Sequence, residues 1–548
     1  MIYIRDTVHG DIKLYDIYAN ILDTPEFQRL RSIEQGSFRP VFPGARHDRF
    51  IHSLGTYHLA CKFSRSFFKN IRRDFPSLVL TQDQEQELIA TFRYAALLHD
   101  IGHAPYSHTT EDFFCEKKNG SGGEVIRDDL RAAIASLGDQ AELDAFDADF
   151  PKCDPSAHEI ISATLLVTQR THFLVSGARL AGLVDTALAA RMVIGCTYDY
   201  NRYTTLSPNE KMILGLRNCL IRLLNSSAVD VDRLDYLIRD TRMSGFINTP
   251  VDVDFLADSV TAIALDGTDW LYPAFRNDAM GVLESMFHAK REHDFWVLNH
   301  PSGAYDSELR AHCISRMEDF PGNSKYMTTV FSAKALGREG VTVEGRTYRL
   351  LSDEDICADL KRHYGAYKPI QEIFCRELRR TPLWRDYYEL RWLFRFNEQK
   401  VYEFFLPLMN YMKKKHFFQL DGYTYPRVMN EPDGVEARES AQFLHDFFRD
   451  QNMGDQFDLV LLPRKAIFTY KFNPKETYIQ FPKLPTADGK NYTTFAELKG
   501  QEASPDKRDM FYIYAPKAAF SPAAKAAFRD QLLARFSSAP APAKIPHV

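Results

Sequence analysis

The sequence predicts a mainly α protein: a helical core with a small N-terminal hairpin, followed by an α+β C-terminal region. Three observations predict it. Over residues 2–14 apolar and polar side chains alternate around His9-Gly10, as in a two-stranded hairpin. From Pro25 the spacing turns helical, beginning with Phe27, Leu30 and Ile33, and helical patterns dominate to about residue 300. Beyond about residue 330 short β-rich runs mix with helical ones.

The elements follow in order. Residues 38–46, FRPVFPGAR, form a loop broken by Pro and Gly. Helical patterns occupy about 52–73, 84–98 and 107–117. The stretch 118–157 is polar, acidic and Gly-rich at its start, and reads as an insertion. Helices return at about 158–170, 178–193, 208–224, 228–242 and 278–298, with strand-like pieces within 253–273. Pro301-Ser302-Gly303 reads as a helix stop. The C-terminal part reads as a hairpin at 340–350, a helix near 352–363, and strands near 456–461, 465–472 and 510–515. The expected divisions are a 1–330 domain, a 331–535 region and a disordered Pro-rich tail at 536–548.

Composition narrows the function. The chain has 548 residues, and a single core stops growing at roughly 250–300. Hydrophobic residues make up 45%, with 40 Phe and 27 Tyr, so the cores are aromatic-rich. A net charge of −5 supplies no global attraction to nucleic acid or anionic membrane; a polyanion site must be a local Lys/Arg cluster. No stretch reaches the roughly 20 apolar residues of a membrane span. The start, MIYIRDTVHG, lacks a basic segment followed by an apolar run, so no signal peptide is expected. The eight cysteines contain no CxxC pair and read as free thiols in a reducing cytoplasm.

Four segments carry chemistry: Arg46–Gly55 (RHDRFIHSLG), Leu97–Pro105 (LLHDIGHAP) with His108 and Glu111, His158-Glu159, and Asp230–Asp240 (DVDRLDYLIRD). Hydrolysing a phosphoester at neutral pH needs an activated water and neutralised phosphoryl oxygens, and a divalent cation supplies both. Histidine and aspartate together, without thiolates, suit first-row metals such as Mn, Fe, Co, Ni or Zn, with Mg also accommodated. His99 and Asp100 end an apolar helical run, where their directions can converge on one ion. Asp232, Tyr236 and Asp240 recur every four residues and form one helical stripe. Taken singly, each of these residues is more often a satisfied structural polar group. An isolated HD dipeptide is weak, and the joint occurrence in order is what carries weight.

At these residues the chain resembles the HD-domain deoxynucleoside triphosphate triphosphohydrolases, which include the bacterial dGTPases. The resemblance covers about residues 1–300 and rests on DTVHGDIKL, DTPEFQRLRSIEQ, VFPGARHDRFIHSLG, LLHDIGHAPYSH, AHE and AVDVDRLDYLIRD. It implies that His52, His99, Asp100 and Asp232 hold one divalent metal. It places His103, His108, Glu111 and His158 at the reacting phosphate, with His103 or His158 as general acid or as acceptor of the water's proton. It assigns phosphate contacts to Arg49, Arg233 and Lys290, the sugar hydroxyl to Gln35 and Asp240, and sugar packing to Tyr236. The implied reaction takes a dNTP and water to a deoxynucleoside and inorganic triphosphate. A nucleotide effector, a homo-oligomer (dimer, tetramer or hexamer) and a role in antiviral defence are also implied. Two departures stand out: Gly36-Ser37-Phe38 follows Gln35 where the family carries more glycine, and Lys290 stands where the family has Arg.

Two other readings stay open. One keeps the metal site but changes the substrate to a cyclic nucleotide, an oligonucleotide or single-stranded DNA. The basic, aromatic pieces at 378–396 and 412–415 would then contact single-stranded nucleic acid; the preferred reading of those pieces is a solvated or self-paired helix face. The other is a nucleotide-sensing scaffold without turnover, against which the full set of four ligands argues.

Overall fold

A computed structural model describes residues 2–115, 122–174, 181–246, 251–265, 268–450, 458–466, 473–482, 490–499 and 508–538. The chain forms two compact units. The first comprises 1–297, 314–362 and 470–505; the second comprises 298–313, 363–469 and 506–548. The expected boundary near residue 330 therefore falls inside the first unit.

The first unit opens with the expected hairpin. Strands β1 (Ile2–Asp6) and β2 (Gly10–Leu14) pair antiparallel from Ile2 with Leu14 to Asp6 with Gly10. Gly10 closes the turn at φ +74°, a conformation that costs a residue without a Cβ nothing. The long helix α1 (Arg49–Asp74) starts where the Asp48 carboxylate accepts from the Ile51 N–H at 3.0 Å. It packs on α2 (Gln82–Leu98), which begins with a reciprocal Thr81/Gln84 cap. The last turns of α2, Tyr94 to Leu98, are fully buried. That burial, worth roughly 1.5–3 kcal/mol per large side chain, carries the chain into the core at His99.

Helices α3 (Gly122–Ala135), α4 (Ala157–Thr168), α5 (Thr186–Val193), α6 (Pro208–Leu224) and α7 (Val231–Met243) complete the helical body. α4 packs on α3 and α5, and α7 packs on α1. Strands β3 (Val260–Ala264) and β4 (Leu271–Arg276) join β5 (Tyr478–Gln480) and β6 (Tyr492–Thr494) in a sheet ordered β6-β5-β4-β3. β5 runs parallel to β4, and the other pairings are antiparallel. Helix α8 (Met280–His293) follows the sheet's first two strands.

The second unit is built on the antiparallel strands Asp458–Ala466 and Arg508–Ala515, flanked by short strands at Leu420–Asp421 and Thr381–Pro382. Its core is aromatic, as the composition predicts: the Trp384 and Phe511 rings lie 4.9 Å apart, and Phe443 and Phe528 5.3 Å apart.

Two segments carry more structure than the sequence suggests. The polar stretch 118–157, read as an insertion, contains α3 and a further helix, Gln140–Asp149. Ile126, Leu130, Ala133 and Ile134 give α3 a buried stripe that the surrounding charge hides from a compositional reading. The break at Pro301 holds, the preceding helical run ending at Leu298, and Pro301 itself starts the next helix, Pro301–Ser315, since its missing N–H costs nothing in a first turn. Residues 467–472 and 539–548, part of an expected strand and of the expected tail, lie outside the described residues; 536–538 end the helix Pro522–Ser538.

Gly102, just past the HD dipeptide, lets α4 approach. A Cβ there would stand 2.5 Å from Ser162 N and 2.8 Å from His158 O, both backbone atoms. Its own N–H donates to Ser162 Oγ at 2.8 Å. The Gly102→Ala protein should unfold at lower urea concentration, by an equivalent of about 1–3 kcal/mol. An unchanged midpoint would show that α4 yields without cost.

Candidate metal centre and histidine cluster

Three elements deliver the metal-ligand candidates. His52 sits in the first turn of α1, His99 and Asp100 follow the end of α2, and Asp232 opens α7. Their donor atoms converge. His52 Nε2 lies 2.9 Å from Asp232 Oδ1 and 3.3 Å from His99 Nε2, while His99 Nε2 lies 3.4 Å from Asp232 Oδ1. Asp100 closes the group, with Oδ1 at 3.5 Å from His99 Nε2 and Oδ2 at 3.6 Å from His52 Nε2. A cation with bonds of about 2.1 Å spaces its donors by about 3.0–3.4 Å, so these separations are those of one coordination shell.

The proton inventory says the same. His99 Nδ1 is 2.9 Å from the Ala96 carbonyl and His52 Nδ1 is 2.7 Å from Asp235 Oδ2. Each ring therefore directs Nδ1 outward to an acceptor and Nε2 into the cage. Two Nε2 atoms then face the carboxylate oxygens of Asp100 and Asp232, and that concentration of negative charge calls for positive charge, which a proton on His52 or a bound cation supplies. Burial opposes charging His52. Hydrogen bonds to Asp232 and Asp235, with the charges of Asp100 and Asp235, outweigh burial and push its pKa up to about 10.

The supporting shell was not read from the sequence. Asp235 binds His52 with one oxygen and His9 Nε2 with the other, at 2.6 Å. Arg239 binds Asp235 at 2.8 and 3.0 Å and reaches Asp6 at 2.9 and 3.2 Å. Gly55 makes room, because a Cβ there would overlap the Asp235 carboxylate and the Arg239 guanidinium. The signal lay in DVDRLDYLIRD: Asp235 and Arg239 form a second period-four stripe beside Asp232, Tyr236 and Asp240.

A second cluster lies beside the cage. The His103 and His158 rings stack at 3.9 Å, and His108 stands edge-on to both, at 5.1 and 5.3 Å. Glu111 holds His158 Nδ1 with one oxygen and His108 Nδ1 with the other, each at 2.7 Å. His103 Nε2 lies 3.2 Å from Asp100 Oδ1, linking the two clusters. The two stacked rings are tuned in opposite directions. Burial, then the charges of Arg49 and His158, hold His103 well below its ordinary value. Burial acts against His158 too, but its hydrogen bond to Glu111 and the Glu111 charge raise it to about 9. The same bonds hold Glu111 below its ordinary value, against burial.

The remaining predicted residues surround these clusters, mostly with partners. Arg49 clamps Asp100 Oδ2 at 2.8 Å, Ser107 Oγ at 3.0 Å and the Gln35 carbonyl at 3.0 Å. Arg233 is partly exposed, with Nε 3.5 Å from Asp230. Tyr236 lies between His52 and His293, with ring centroids at 6.5 and 6.0 Å. Asp240 divides its carboxylate between His47 Nε2 at 2.7 Å and His293 Nε2 at 3.1 Å, two residues the sequence did not single out. Lys290 is buried, paired with Asp294, and lies 5.1 Å over the Tyr236 ring. Gln35 is buried, with its Oε1 unbonded among the described residues.

The HD domain, as a family, matches residues 49–138. That span holds His52, His99, Asp100, His103, His108 and Glu111. Residues 49–138 are thus similar to an HD domain, and the donor set they share with Asp232 is one that could hold a metal ion, as in a metal-dependent phosphohydrolase. The more particular relatives are the deoxynucleoside triphosphate triphosphohydrolases. The chain is 35% identical over 148 residues to the SAMHD1 homolog of Dictyostelium discoideum, covering 27% of each protein. It is 41% identical over 112 residues to the deoxynucleoside triphosphate triphosphohydrolase SAMHD1 of Homo sapiens, covering 20% of this chain and 17% of that protein. The chain thus matches about a quarter or less of the length of these relatives. The crystal structure of a phosphohydrolase from Bacteroides thetaiotaomicron shares the fold, with a TM-score of 0.52 and 16% identity, over 94% of this chain and 100% of that one.

Asp235→Asn should weaken Mn²⁺ binding about 10–100-fold by loosening the His52 ring, while His52→Ala should abolish it. Titration calorimetry on folded variants reads both. Wild-type affinity in Asp235→Asn would mean the Asp235 carboxylate does not orient a ligand.

Proposed function

We propose that the protein hydrolyses deoxynucleoside triphosphates, with a divalent metal, to a deoxynucleoside and inorganic triphosphate. The observation that carries this reading is the four-donor cage set beside two stacked histidines of opposite ionisation. The similarity to enzymes named deoxynucleoside triphosphate triphosphohydrolases supports the substrate class.

His52, His99, Asp100 and Asp232 would hold the metal. When bound, it would acidify water and draw charge from phosphoryl oxygens. The identity of the ion follows from the donor set only as far as a first-row metal or Mg²⁺. The protein's own groups divide the proton work. His158, kept protonated by Glu111, supplies the proton that the departing 5′ oxygen needs as its bond to the α-phosphorus breaks. His103, kept neutral, accepts the proton that the attacking water gives up. Pairs of titratable groups driven apart by their surroundings are the usual way one site runs acid and base chemistry together.

Around this centre Arg233 and Lys290 offer charge to the phosphates, and Tyr236 offers a ring face to the sugar. Gln35, whose buried Oε1 is unbonded among the described residues, is a ready acceptor for a sugar hydroxyl. Asp240 already commits its oxygens to His47 and His293 and would act beside it. Nucleotide activation, a homo-oligomer and a defence role belong to the same reading and rest on family resemblance.

One observation favours the alternative of an oligonucleotide or single-stranded substrate. Tyr388, Trp392 and Phe396 are exposed by 57%, 77% and 64%, and Arg391 lies over the Phe396 ring. Exposed rings with interleaved arginine can stack bases. Two arginines of that piece are otherwise engaged, Arg379 with Asp306 and Arg380 with Glu372 and Asp458.

Ion-exchange analysis after incubation with Mn²⁺ or Mg²⁺ and each dNTP or NTP, singly and mixed, separates the readings. Deoxynucleoside plus triphosphate is expected, lost in the His99→Ala/Asp100→Ala protein. Monophosphates from strands, with no release from mononucleotides, would replace this reading with the alternative. The pH profile tests the acid. A group whose pKa is raised acts fully at low pH and is lost as pH rises through the raised value. The rate should therefore fall above about pH 9. In Glu111→Gln burial prevails, and the alkaline limb should move down by roughly 1–3 units. An unmoved limb would remove His158 as the acid.

A further inference from the structure

We propose that Cys153 and Cys196 are an oxidisable thiol pair, whose disulfide fixes the segment entering α4 and with it the setting of His158. The inference does not depend on the proposed substrate. Among the described residues the cysteines are free thiols, but these two are brought together by one buried ion pair. Arg191, in α5, is fully buried. Its Nη1 donates to Asp149 Oδ2 at 3.1 Å and to Cys196 Sγ at 3.5 Å. The Cys153 thiol donates to the backbone oxygen of the same Asp149 at 3.6 Å. Both sulfurs thus bond to the same buried Asp149–Arg191 pair.

The pair is asymmetric, as such chemistry requires. Cys153 is only partly buried, whereas Cys196 is fully buried. The Cys196 thiol and then the Arg191 charge hold Cys153 below its ordinary pKa, against burial. Cys153 and burial push Cys196 up. Cys153 is therefore the thiol that ionises and meets an oxidant, and Cys196 resolves the product.

Hydrogen peroxide is a sufficient oxidant. The Cys153 thiolate attacks one peroxide oxygen and the O–O bond breaks, giving a sulfenic acid and hydroxide, which takes a proton to become water. The Cys196 sulfur then attacks the sulfenic sulfur. The S–O bond breaks, and the hydroxyl leaves with the Cys196 proton as a second water. Two thiols lose two electrons and two protons to one peroxide.

The location gives the bond a consequence. Three residues after Cys153, the Ser156 N–H donates to Glu159 Oε2 at 2.7 Å, which sets the start of α4, and His158 lies in that first turn. Cys196 lies just beyond the end of α5. Asn225 already ties the two places by hydrogen bonds, to Glu159 Oε1 and to the Val193 carbonyl, each at 2.7 Å. A disulfide would make that tie covalent.

The test uses the full chain with and without hydrogen peroxide. Non-reducing peptide mass spectrometry should find Cys153 joined to Cys196. Hydrogen exchange should slow across 153–159, reverse with dithiothreitol, and stay unchanged in Cys153→Ser. Two results would overturn the proposal: Cys153 oxidised with no link to Cys196, or a link with unaltered exchange over 153–159. Cys196→Ala empties a buried site and could unfold the protein. Cys153→Ser, at a partly exposed position, keeps the test sound in that case, and neither readout requires turnover.

Discussion

The structure depends on one electrostatic constraint: two imidazole nitrogens and two carboxylates from three separate elements converge on one point and need positive charge among them. His52, His99, Asp100 and Asp232 can sit this close only if something positive stands among them. Everything near the cage serves that arrangement. Asp235 takes the outer proton of His52, Ala96 takes that of His99, and Arg49 neutralises Oδ2 of Asp100. Asp235 in turn is neutralised by Arg239, and Arg239 by Asp6 on the N-terminal hairpin. A strand that looks peripheral in sequence thus ends as the last link of a buried charge chain. Breaking a buried ion pair by removing one partner costs several kcal/mol, so the hairpin and the metal centre are coupled.

Glycine supplies the second constraint, which is distance. Gly55 lets the Asp235–Arg239 pair touch α1, and Gly102 lets α4 touch the turn after the HD dipeptide. Neither acts through backbone conformation. Both are places where a single methyl would hold two elements apart, one at the metal cage and one at the histidine pair.

Much of this was legible in the sequence, and the limits have physical causes. The helices of the N-terminal half were readable because their buried stripes are long and periodic, as in α1, α2 and α6. α3 was not, because Ile126, Leu130 and Ile134 are spread among charges that dominate a local average. The candidate ligand set was reached through motif order; spacing alone could not have joined His52 to Asp232 across the chain. The shell behind it was missed for a related reason. A period-four stripe of Asp and Arg looks like an ordinary solvated helix face until a tertiary partner buries it, and His9, His47 and His293 acquire meaning only from the carboxylates they meet. The division into two units was also beyond reach, because each is assembled from three separate lengths of chain.

Arg49 shows how far one side chain can organise the chemistry. Its guanidinium bridges Asp100, Ser107 and the Gln35 carbonyl, joining the metal cage, the loop before His108 and the loop that carries Gln35. The same charge lies close enough to His103 to keep that ring neutral, after burial. Glu111, on the other side of the stack, keeps His158 charged. The two imidazoles are only 3.9 Å apart, so one proton held on His158 further disfavours a second on His103. A neutral and a charged histidine side by side are therefore an outcome of where Arg49 and Glu111 stand. The arginine that reads in sequence as a phosphate contact has a prior duty, which is to set the ionisation of the groups that would move the protons.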